Sequence, residues 1–246
     1  MNPIKHLSQI IYPPRCVVCR DFLWQAPFIE GDFPYSICAA CISGFSTIEA
    51  PFCTICGMPF ASDQIENHPC EDCLQTKPYF QGAYAPYRYE GPVVEAVHRL
   101  KYGQKTFVAN SVGPLLAEFV ETQFKNPRSF LTIPVPLHPK RLRERGFNQS
   151  LLLAKHIAKK FNGELDFLSL IRTKYTRSQT TLSKKERQQN VKSAFHLKTP
   201  EAVRKKTILL VDDVATTGNT LNECARVLTS GGAEAVFCVT LAKAVI

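Results

Sequence analysis

The chain has 246 residues, of which 45% are hydrophobic, and its formal net charge at pH 7 is +9. This apolar content is that of a globular protein and excludes a disordered chain, and no apolar run is long enough to span a membrane. The first 14 residues also lack the pattern of a signal peptide, so we expect a cytoplasmic protein without a transmembrane segment.

The positive charge is concentrated in one part of the chain. Residues 138–207 hold 18 of the 30 Lys and Arg residues but only 5 of the 21 Asp and Glu residues. A basic block of this kind suits a polyphosphate ligand, a nucleic acid, or both. A solvated basic face without a ligand is the alternative.

The amino-terminal segment is rich in cysteine pairs. Eight of the ten cysteines precede residue 74, and all eight lie in Cys-x-x-Cys pairs, which bind metal more often than they form disulfides in a reducing compartment. The second half of the segment repeats the first, which predicts two structural Zn²⁺ sites with four thiolates each. The predicted ligands are Cys16, Cys19, Cys38 and Cys41 in one site and Cys53, Cys56, Cys70 and Cys73 in the other. A cross-braced pairing, of the first pair with the third and the second with the fourth, remains open.

His68 and the aromatic residues of this segment each allow two interpretations. His68 lies close to Cys70 and could ligate a metal, but a complete set of four thiolates argues against it. The aromatic residues between the pairs form either a small core around the metals, which we favour, or a surface on which the bases of single-stranded nucleic acid stack. These aromatic residues are Phe22, Trp24, Phe28, Phe33, Tyr35, Phe45 and Phe52.

Pro78 marks the predicted boundary between two domains, residues 1–78 with the zinc sites and residues 79–246 with an α/β fold. The pattern after the boundary predicts a strand, two helices and a second strand. Their predicted ranges are 84–89, 91–102, 108–124 and 130–137.

The second strand runs into the turn Pro134–Arg141, which contains three prolines. Three basic residues of this turn, His138, Lys140 and Arg141, would lie at the carboxyl end of a strand, where α/β sheets bind their ligands. We therefore expect this turn to face pyrophosphate. The sequence Arg143–Gln149 and a helix over residues 150–161 follow.

Residues 172–190 form a long, polar and basic stretch. A structureless stretch of this length inside a compact domain is usually functional or disordered. A surface helix over residues 183–191 with solvated charges is the alternative for its second half.

The stretch Thr207–Thr220 has the pattern of a strand, a turn and a helix. Ile208–Val211 reads as a buried parallel strand, Asp212 and Asp213 follow it, and a turn rich in Thr and Gly leads into a helix. Backbone N–H groups in such a turn and at a helix N-terminus bind phosphate, and neighbouring carboxylates accept hydrogen bonds from vicinal hydroxyls. A phosphate beside a diol describes a ribose 5-phosphate.

These residues resemble a known family. The run Thr207–Thr220 resembles the signature with which type I phosphoribosyltransferases bind phosphoribosyl pyrophosphate (PRPP). Pro-Val-Pro-Leu-His at 134–138, followed by Arg-Gly-Phe-Asn-Gln at 145–149, is similar to the ComF family, whose members carry an amino-terminal zinc domain and are associated with natural competence. The resemblance implies an α/β fold, a type I phosphoribosyltransferase domain with a parallel sheet flanked by helices, preceded by a small Cys-rich zinc-binding domain.

The resemblance also implies a reaction and a set of site residues. Pyrophosphate would be displaced from carbon 1 of PRPP with the help of Mg²⁺, and the basic stretch after Arg172 would close over the ligand. The residues implied in catalysis are Asp212, Asp213, Arg172 and Arg187. The residues implied in PRPP binding are Leu137, His138, Lys140, Arg141, Arg145, Val214, Ala215, Thr216, Thr217, Gly218, Asn219 and Thr220.

The phosphoribosyl acceptor is not identified by any set of residues, so three hypotheses stay open. The chain is a phosphoribosyltransferase with an unidentified acceptor, a PRPP-binding module without transfer activity, or a nucleic-acid-binding zinc protein with a vestigial PRPP site. The intact run Asp212–Gly218 argues against the third. The partners expected besides PRPP are single-stranded DNA and a competence helicase or recombination-mediator protein.

Overall fold

The computed structural model describes residues 13–23, 35–60, 66–102, 106–175 and 191–245. The strands are β1 (Arg15–Cys16), β2 (Tyr35–Ser36), β3 (Gly82–Tyr84), β4 (Tyr87–Arg88), β5 (Leu131–Pro134), β6 (Glu164–Leu165), β7 (Leu170–Arg172), β8 (Phe195–Leu197), β9 (Thr207–Ala215) and β10 (Ala235–Lys243). The α-helices are α1 (Ala39–Ser43), α2 (Glu71–Gln75), α3 (Gly91–Tyr102), α4 (Phe107–Gln123), α5 (Pro139–Arg145), α6 (Gln149–Phe161) and α7 (Asn219–Ser230).

The main sheet is parallel and has the strand order β3-β10-β9-β5-β6, with β4 pairing further along β10. The long strands β9 and β10 run side by side from the pair Thr207–Ala235 to the pair Ala215–Lys243. Two small sheets accompany it, the parallel pair β1–β2 and the antiparallel pair β7–β8. A parallel sheet flanked by helices confirms the predicted fold class.

The two faces of the sheet are covered by different elements. Alternate side chains of a strand point to opposite faces, so Leu209 and Val211 pack in one hydrophobic cluster with α3, α4 and α6. Ile208 and Leu210 pack in a second cluster with α7 and the β7–β8 pair. All four side chains are fully buried, as the uninterrupted apolar run predicts for a central parallel strand.

The predicted helices 91–102, 108–124 and 150–161 correspond to α3, α4 and α6 within one residue at each end. Helices α4 and α6 pack so closely that a Cβ atom on Gly113 would overlap the ring of His156. Glycine is therefore the residue that permits this helix contact.

Three predicted elements differ in the structure. The strand expected over 84–89 is two short strands, β3 and β4. The strand expected over 130–137 ends at Pro134. The N–H of Val135 still bonds to the carbonyl of Val211, but the carbonyl of Val135 accepts a hydrogen bond from the side chain of Asn148. The expected turn after this strand contains helix α5, in which Pro139 occupies the first helical position and His138 caps the N–H of Lys140.

The Cys-rich segment packs against the first face of the α/β unit. Val17, Val18 and Ile37 belong to the same hydrophobic cluster as helices α3 and α4, and the ring of Phe45 contacts the ring of Tyr87 at 5.0 Å. In the second half of the segment, Gly57 adopts φ +69°, and a Cβ atom there would overlap the carbonyl oxygen of Ala83 in β3. Residues on both sides of position 78 thus share one core, and the domain boundary at 78/79 stays a prediction.

In the part of the chain that the structure describes, no helix combines the length and the apolar character that crossing a membrane requires. Several residues named from the sequence lie outside the described residues. They are Trp24, Phe28, Phe33, Arg187 and most of the stretch 172–190 with its alternative helix.

Candidate functional site

The cysteines form two groups in the order of the sequence. The four Sγ atoms of Cys16, Cys19, Cys38 and Cys41 lie within 4.8 Å of one another, and so do those of Cys53, Cys56, Cys70 and Cys73. The cross-braced pairing is therefore not the one adopted. Zinc–sulfur bonds of about 2.3 Å in a tetrahedron place sulfur atoms about 3.8 Å apart. The Cys19–Cys38 and Cys56–Cys70 sulfur distances of 3.7 and 3.8 Å fit such an ion.

Backbone N–H donors stabilise one thiolate in each set of four cysteines. The Sγ atom of Cys16 accepts hydrogen bonds from the N–H groups of Val18 and Cys38, and the Sγ atom of Cys53 has the same environment in its own group. Burial raises the pKa of these two thiols, but the N–H groups outweigh it and lower each pKa to about 7. Burial raises the pKa of Cys41 and Cys73, so four thiolates together require a bound cation.

Two residues near the second group have roles other than ligation. The ring of His68 stacks on Phe60 with its centroid 4.2 Å away, and the histidine is not part of the cluster of sulfur atoms. Lys243 is buried at the end of β10, where burial lowers its pKa and the thiols of the second group oppose that effect. Lys243 therefore places positive charge beside a site that becomes negative when four thiolates form.

The acid pair lies inside strand β9, because β9 continues to Ala215 beside β10. Asp213 projects from the same face of the sheet as Leu209 and Val211, and one of its carboxylate oxygens lies 2.9 Å from Nζ of Lys101 in α3. Burial lowers the pKa of Lys101, but Asp213 more than compensates and the net shift is upward. The sequence pattern indicates only that Lys101 lies near the end of the predicted helix 91–102, and it gives no sign of this ion pair.

Asp212 is held by the next helix. Its Oδ1 atom accepts a hydrogen bond from Oγ of Ser150 at 2.8 Å and another from the N–H of Asp213 at 2.9 Å. Asn148 caps α6 through the N–H of Ser150 and donates its amide to the carbonyl of Val135. The residues Asn148–Ser150 therefore attach α6 to the ends of β5 and β9, a role that the sequence did not indicate.

Burial, with the neighbouring Asp213 carboxylate, raises the pKa of Asp212 to about 7. The native state then binds more protons than the unfolded chain between about pH 4 and pH 7, so this group makes the protein less stable as the pH rises through that window.

We expect Asp212→Asn to remove the penalty and to raise the free energy of unfolding by roughly 1–3 kcal/mol at pH 8, with little gain at pH 4. Thermal unfolding across this pH range measures the effect, with the exposed Glu234→Gln as the control. A gain that is constant with pH would contradict the prediction.

The turn after β9 forms a cradle at the start of α7. Gly218 adopts φ +73° at the N-cap and offers no side-chain cap, so the first N–H groups of this 12-residue helix face the turn. The buried Oγ1 atom of Thr217 has no hydrogen-bond partner among the described residues. The cradle opens onto a small pocket. This pocket is lined by Asp212, Val214, Ala215, Thr216, Gly218, Asn219, Thr220 and Leu221.

The basic residues predicted to face pyrophosphate surround the ring of Tyr175. The imidazole of His138 lies 5.2 Å from the ring centroid, Nζ of Lys140 lies 4.7 Å from it, and the guanidinium of Arg141 lies 5.9 Å from it. Leu137 is half-buried just before this group. Tyr175 was not among the predicted site residues, although an aromatic residue inside a basic stretch is a typical feature of ligand-binding surfaces.

The remaining predicted arginines have different positions. Arg172 ends β7, and its guanidinium lies 5.3 Å from the ring centroid of Phe195. Burial and the neighbouring charge of Arg141 lower the pKa of Arg172, an effect that Cys224 and, to a smaller extent, Asp212 oppose. Arg145 donates a hydrogen bond to the side-chain oxygen of Gln149 at 3.1 Å and covers the ring of Tyr102.

Two families match the sequence in the order that the structure shows. Residues 7–74 match the double zinc ribbon domain, which fits the two groups of four cysteines. Residues 148–245 match the phosphoribosyl transferase domain, which includes β9, the cradle and α7.

Three known proteins are similar over nearly the whole chain. The DNA utilization protein YhgH of Escherichia coli K12 is 32% identical over 93% of this chain and 98% of its own length. Competence protein F of Haemophilus influenzae is 31% identical over 94% and 97%, and competence protein ComFC of Bacillus subtilis is 27% identical over 93% and 94%. With this coverage and identity, the chain belongs to the ComF family of double zinc ribbon and phosphoribosyltransferase domain proteins.

Proposed function

We propose that the protein binds PRPP together with Mg²⁺ at the carboxyl ends of β5 and β9, and that it takes part in the handling of DNA during natural competence. The cradle after β9 is the observation that supports this most. It combines the N-terminus of α7 and the Asp212 carboxylate, which line the pocket, with the adjacent Asp213 and the buried hydroxyl of Thr217, which has no hydrogen-bond partner among the described residues. A 5-phosphate and the adjacent ribose diol are the groups that this set would bind.

In this proposal the N–H groups of residues 215–220, with the hydroxyls of Thr216, Thr217 and Thr220, hold the 5-phosphate. Asp212 and Asp213 hold the ribose hydroxyls or the ion bound to them. Lys101 must share or release its contact with Asp213 when the ribose binds, because the two compete for one carboxylate oxygen.

The pyrophosphate would lie toward α5 and β7. His138, Lys140 and Arg141 at the start of α5 and Arg172 at the end of β7 supply positive charge there. Bound Mg²⁺ would add charge that stabilises the leaving pyrophosphate. Side chains that are already in place require little reorganisation when this charge develops.

The role in DNA handling is proposed from the relatives, which are named for competence and for DNA utilization. One measurement distinguishes a phosphoribosyltransferase from a PRPP-binding module without transfer activity. A phosphoribosyltransferase releases pyrophosphate from PRPP when its acceptor is present, whereas a binding module does not. Assays of pyrophosphate release with candidate acceptors, with and without single-stranded DNA, separate the two.

We expect Thr217→Val to weaken PRPP binding by about 10-fold or more, because one hydrogen bond to a charged phosphate is lost. The same change should raise the melting temperature by a few degrees, because it removes a buried hydroxyl for which the described residues provide no hydrogen-bond partner. Calorimetric titration with PRPP and Mg²⁺, together with thermal unfolding, measures both effects.

The control is Thr229→Val, an exposed threonine in the last turn of the same helix. It should leave PRPP affinity within about twofold of the wild type. Equal affinity of Thr217→Val and the wild type would refute the assignment of the cradle. If the wild type itself shows no binding, the proposed function fails.

A further inference from the structure

Helix α5 carries an exposed tyrosine against each of its ends. Tyr175, which is 46% exposed, lies against His138 and Lys140 at the start of the helix. Tyr102, which is 59% exposed, lies against Arg145 at its end, with the guanidinium 5.2 Å from the ring centroid. Two large exposed rings thus lie against one short helix.

The helix between the two rings is basic. Of its seven residues, four are positively charged, Lys140, Arg141, Arg143 and Arg145, and Glu144 is the one acid. Lys140 and Arg143 are exposed to solvent. The side chain of Leu142 on the same helix is 42% exposed and adds a small apolar surface.

Rings and cations in this arrangement match the chemistry of a single nucleic-acid strand. The bases of an unpaired strand stack on exposed aromatic rings, and lysine and arginine neutralise its phosphates. The cations beside the rings strengthen the contact by cation–π interaction. An acidic protein surface would use the same cations but has no need of two exposed rings.

The spacing also fits a strand of nucleotides. A seven-residue helix is about 10 Å long at 1.5 Å per residue. At about 3.4 Å per nucleotide, three steps of a stacked strand cover this length. One base could then stack on each tyrosine while the intervening phosphates meet the exposed face of the helix.

We propose that single-stranded nucleic acid binds along helix α5, with bases stacked on Tyr102 and Tyr175 and phosphates paired with Lys140 and Arg143. The inference rests on the proposed role in DNA handling and identifies a surface for it. The strand lies beside the proposed pyrophosphate site, because His138 and Lys140 border both. Tyr102 and Tyr175 are outside the residues proposed to bind PRPP, so the two sites are separable by mutation.

Anisotropy of a labelled oligothymidylate, measured with the full zinc-loaded protein in the absence of PRPP, tests the proposal. We expect Tyr102→Ala and Tyr175→Ala each to weaken binding about 10-fold, and Tyr102→Phe and Tyr175→Phe to stay within about twofold of the wild type. The control is Tyr79→Ala, since Tyr79 is equally exposed but lies near α7, where its N–H bonds to Asn222. Arg143→Glu should reduce the loss of affinity between 50 and 200 mM salt.

Several outcomes would overturn the proposal. They are an absence of oligothymidylate binding by the wild type, alanine variants that bind like the wild type, and polyglutamate that competes as well as the oligonucleotide, which would indicate an acidic protein partner. Titration of Tyr102→Ala with PRPP and Mg²⁺ distinguishes this inference from the proposed function. If Tyr102→Ala retains PRPP binding but binds the oligonucleotide more weakly, the nucleic-acid site is supported. If the wild type binds the oligonucleotide but not PRPP, the nucleic-acid site is still supported and the proposed PRPP site is refuted.

Discussion

Asp213→Ala is expected to lower the affinity for PRPP and Mg²⁺ by about 10- to 100-fold while the protein remains folded. Asp213 is a buried carboxylate whose two oxygens face different partners. One accepts the N–H of Val214 at 2.9 Å, and the other lies 2.9 Å from the ammonium of Lys101. The second oxygen is therefore the one that a ribose hydroxyl or a bound cation would contact. Charge-assisted hydrogen bonds of this kind are worth about 1.5–3 kcal/mol each, and about 3 kcal/mol corresponds to 100-fold in affinity.

The variant should fold because Lys101 is able to reach water when its partner is lost. The side chain of Lys101 is 23% exposed, and a long lysine side chain can move its charge outward while its methylene groups stay packed. Asp213→Asn provides a second variant of nearly the same shape, and it should show the same loss of affinity. Far-ultraviolet circular dichroism and thermal unfolding establish that both variants are folded.

The matched control is Glu121→Gln in α4, an exposed carboxylate that pairs with Lys160 on the outer surface. Its PRPP affinity should match that of the wild type, because exposed ion pairs contribute little. If the two Asp213 variants are folded and bind PRPP as the wild type does, the acid pair is not the ribose site.

Removal of zinc is the second large effect, and we expect it to unfold helices α3 and α4 as well as the Cys-rich segment. The first group of cysteines is continuous with the core of the α/β unit, since Cys16, Val17 and Phe45 belong to one hydrophobic cluster with these helices. Structural zinc contributes roughly 10–16 kcal/mol of apparent binding free energy in small domains, whereas whole domains are stable by only about 5–15 kcal/mol. Loss of the metal therefore uncovers apolar side chains of α3 and α4.

Metal analysis should give two zinc ions per chain, and hydrogen exchange after chelation should show lost protection in residues 91–102 and 107–123. Cys19→Ser, in the first group, should have the larger effect on these helices. Cys56→Ser, in the second group, should act mainly near β3, against which Gly57 packs. Restored protection when zinc is added back to the wild type is the control. One zinc ion per chain, or unchanged protection in both helices after chelation, would contradict the prediction.

Much of the fold could be predicted because its patterns are local. The four Cys-x-x-Cys pairs predict zinc, since tetrahedral coordination by thiolates requires this spacing within each pair. The apolar run 208–211 predicts a central parallel strand, and helices α3, α4 and α6 follow from apolar spacing along the chain. Two features depend on contacts between distant segments. The cysteines are grouped in sequential order, whereas the sequence also allowed a cross-braced pairing. Strand β5 ends at Pro134, three residues before the end that the sequence predicts.

The chemical types at the site can be predicted from the residues alone: two neighbouring carboxylates, a turn of Thr and Gly before a helix, and a basic turn after a proline-rich strand. Their hydrogen-bond and ion-pair partners depend on how the helices and strands pack. Lys101 pairs with Asp213, and Ser150 donates a hydrogen bond to Asp212, although both pairs are far apart in the sequence. Arg145 donates a hydrogen bond to Gln149. The exposed rings of Tyr102 and Tyr175 lie against the two ends of α5. Local periodicity shows which face of an element is buried, whereas the packing of whole elements decides which side chains on different elements come within hydrogen-bonding distance.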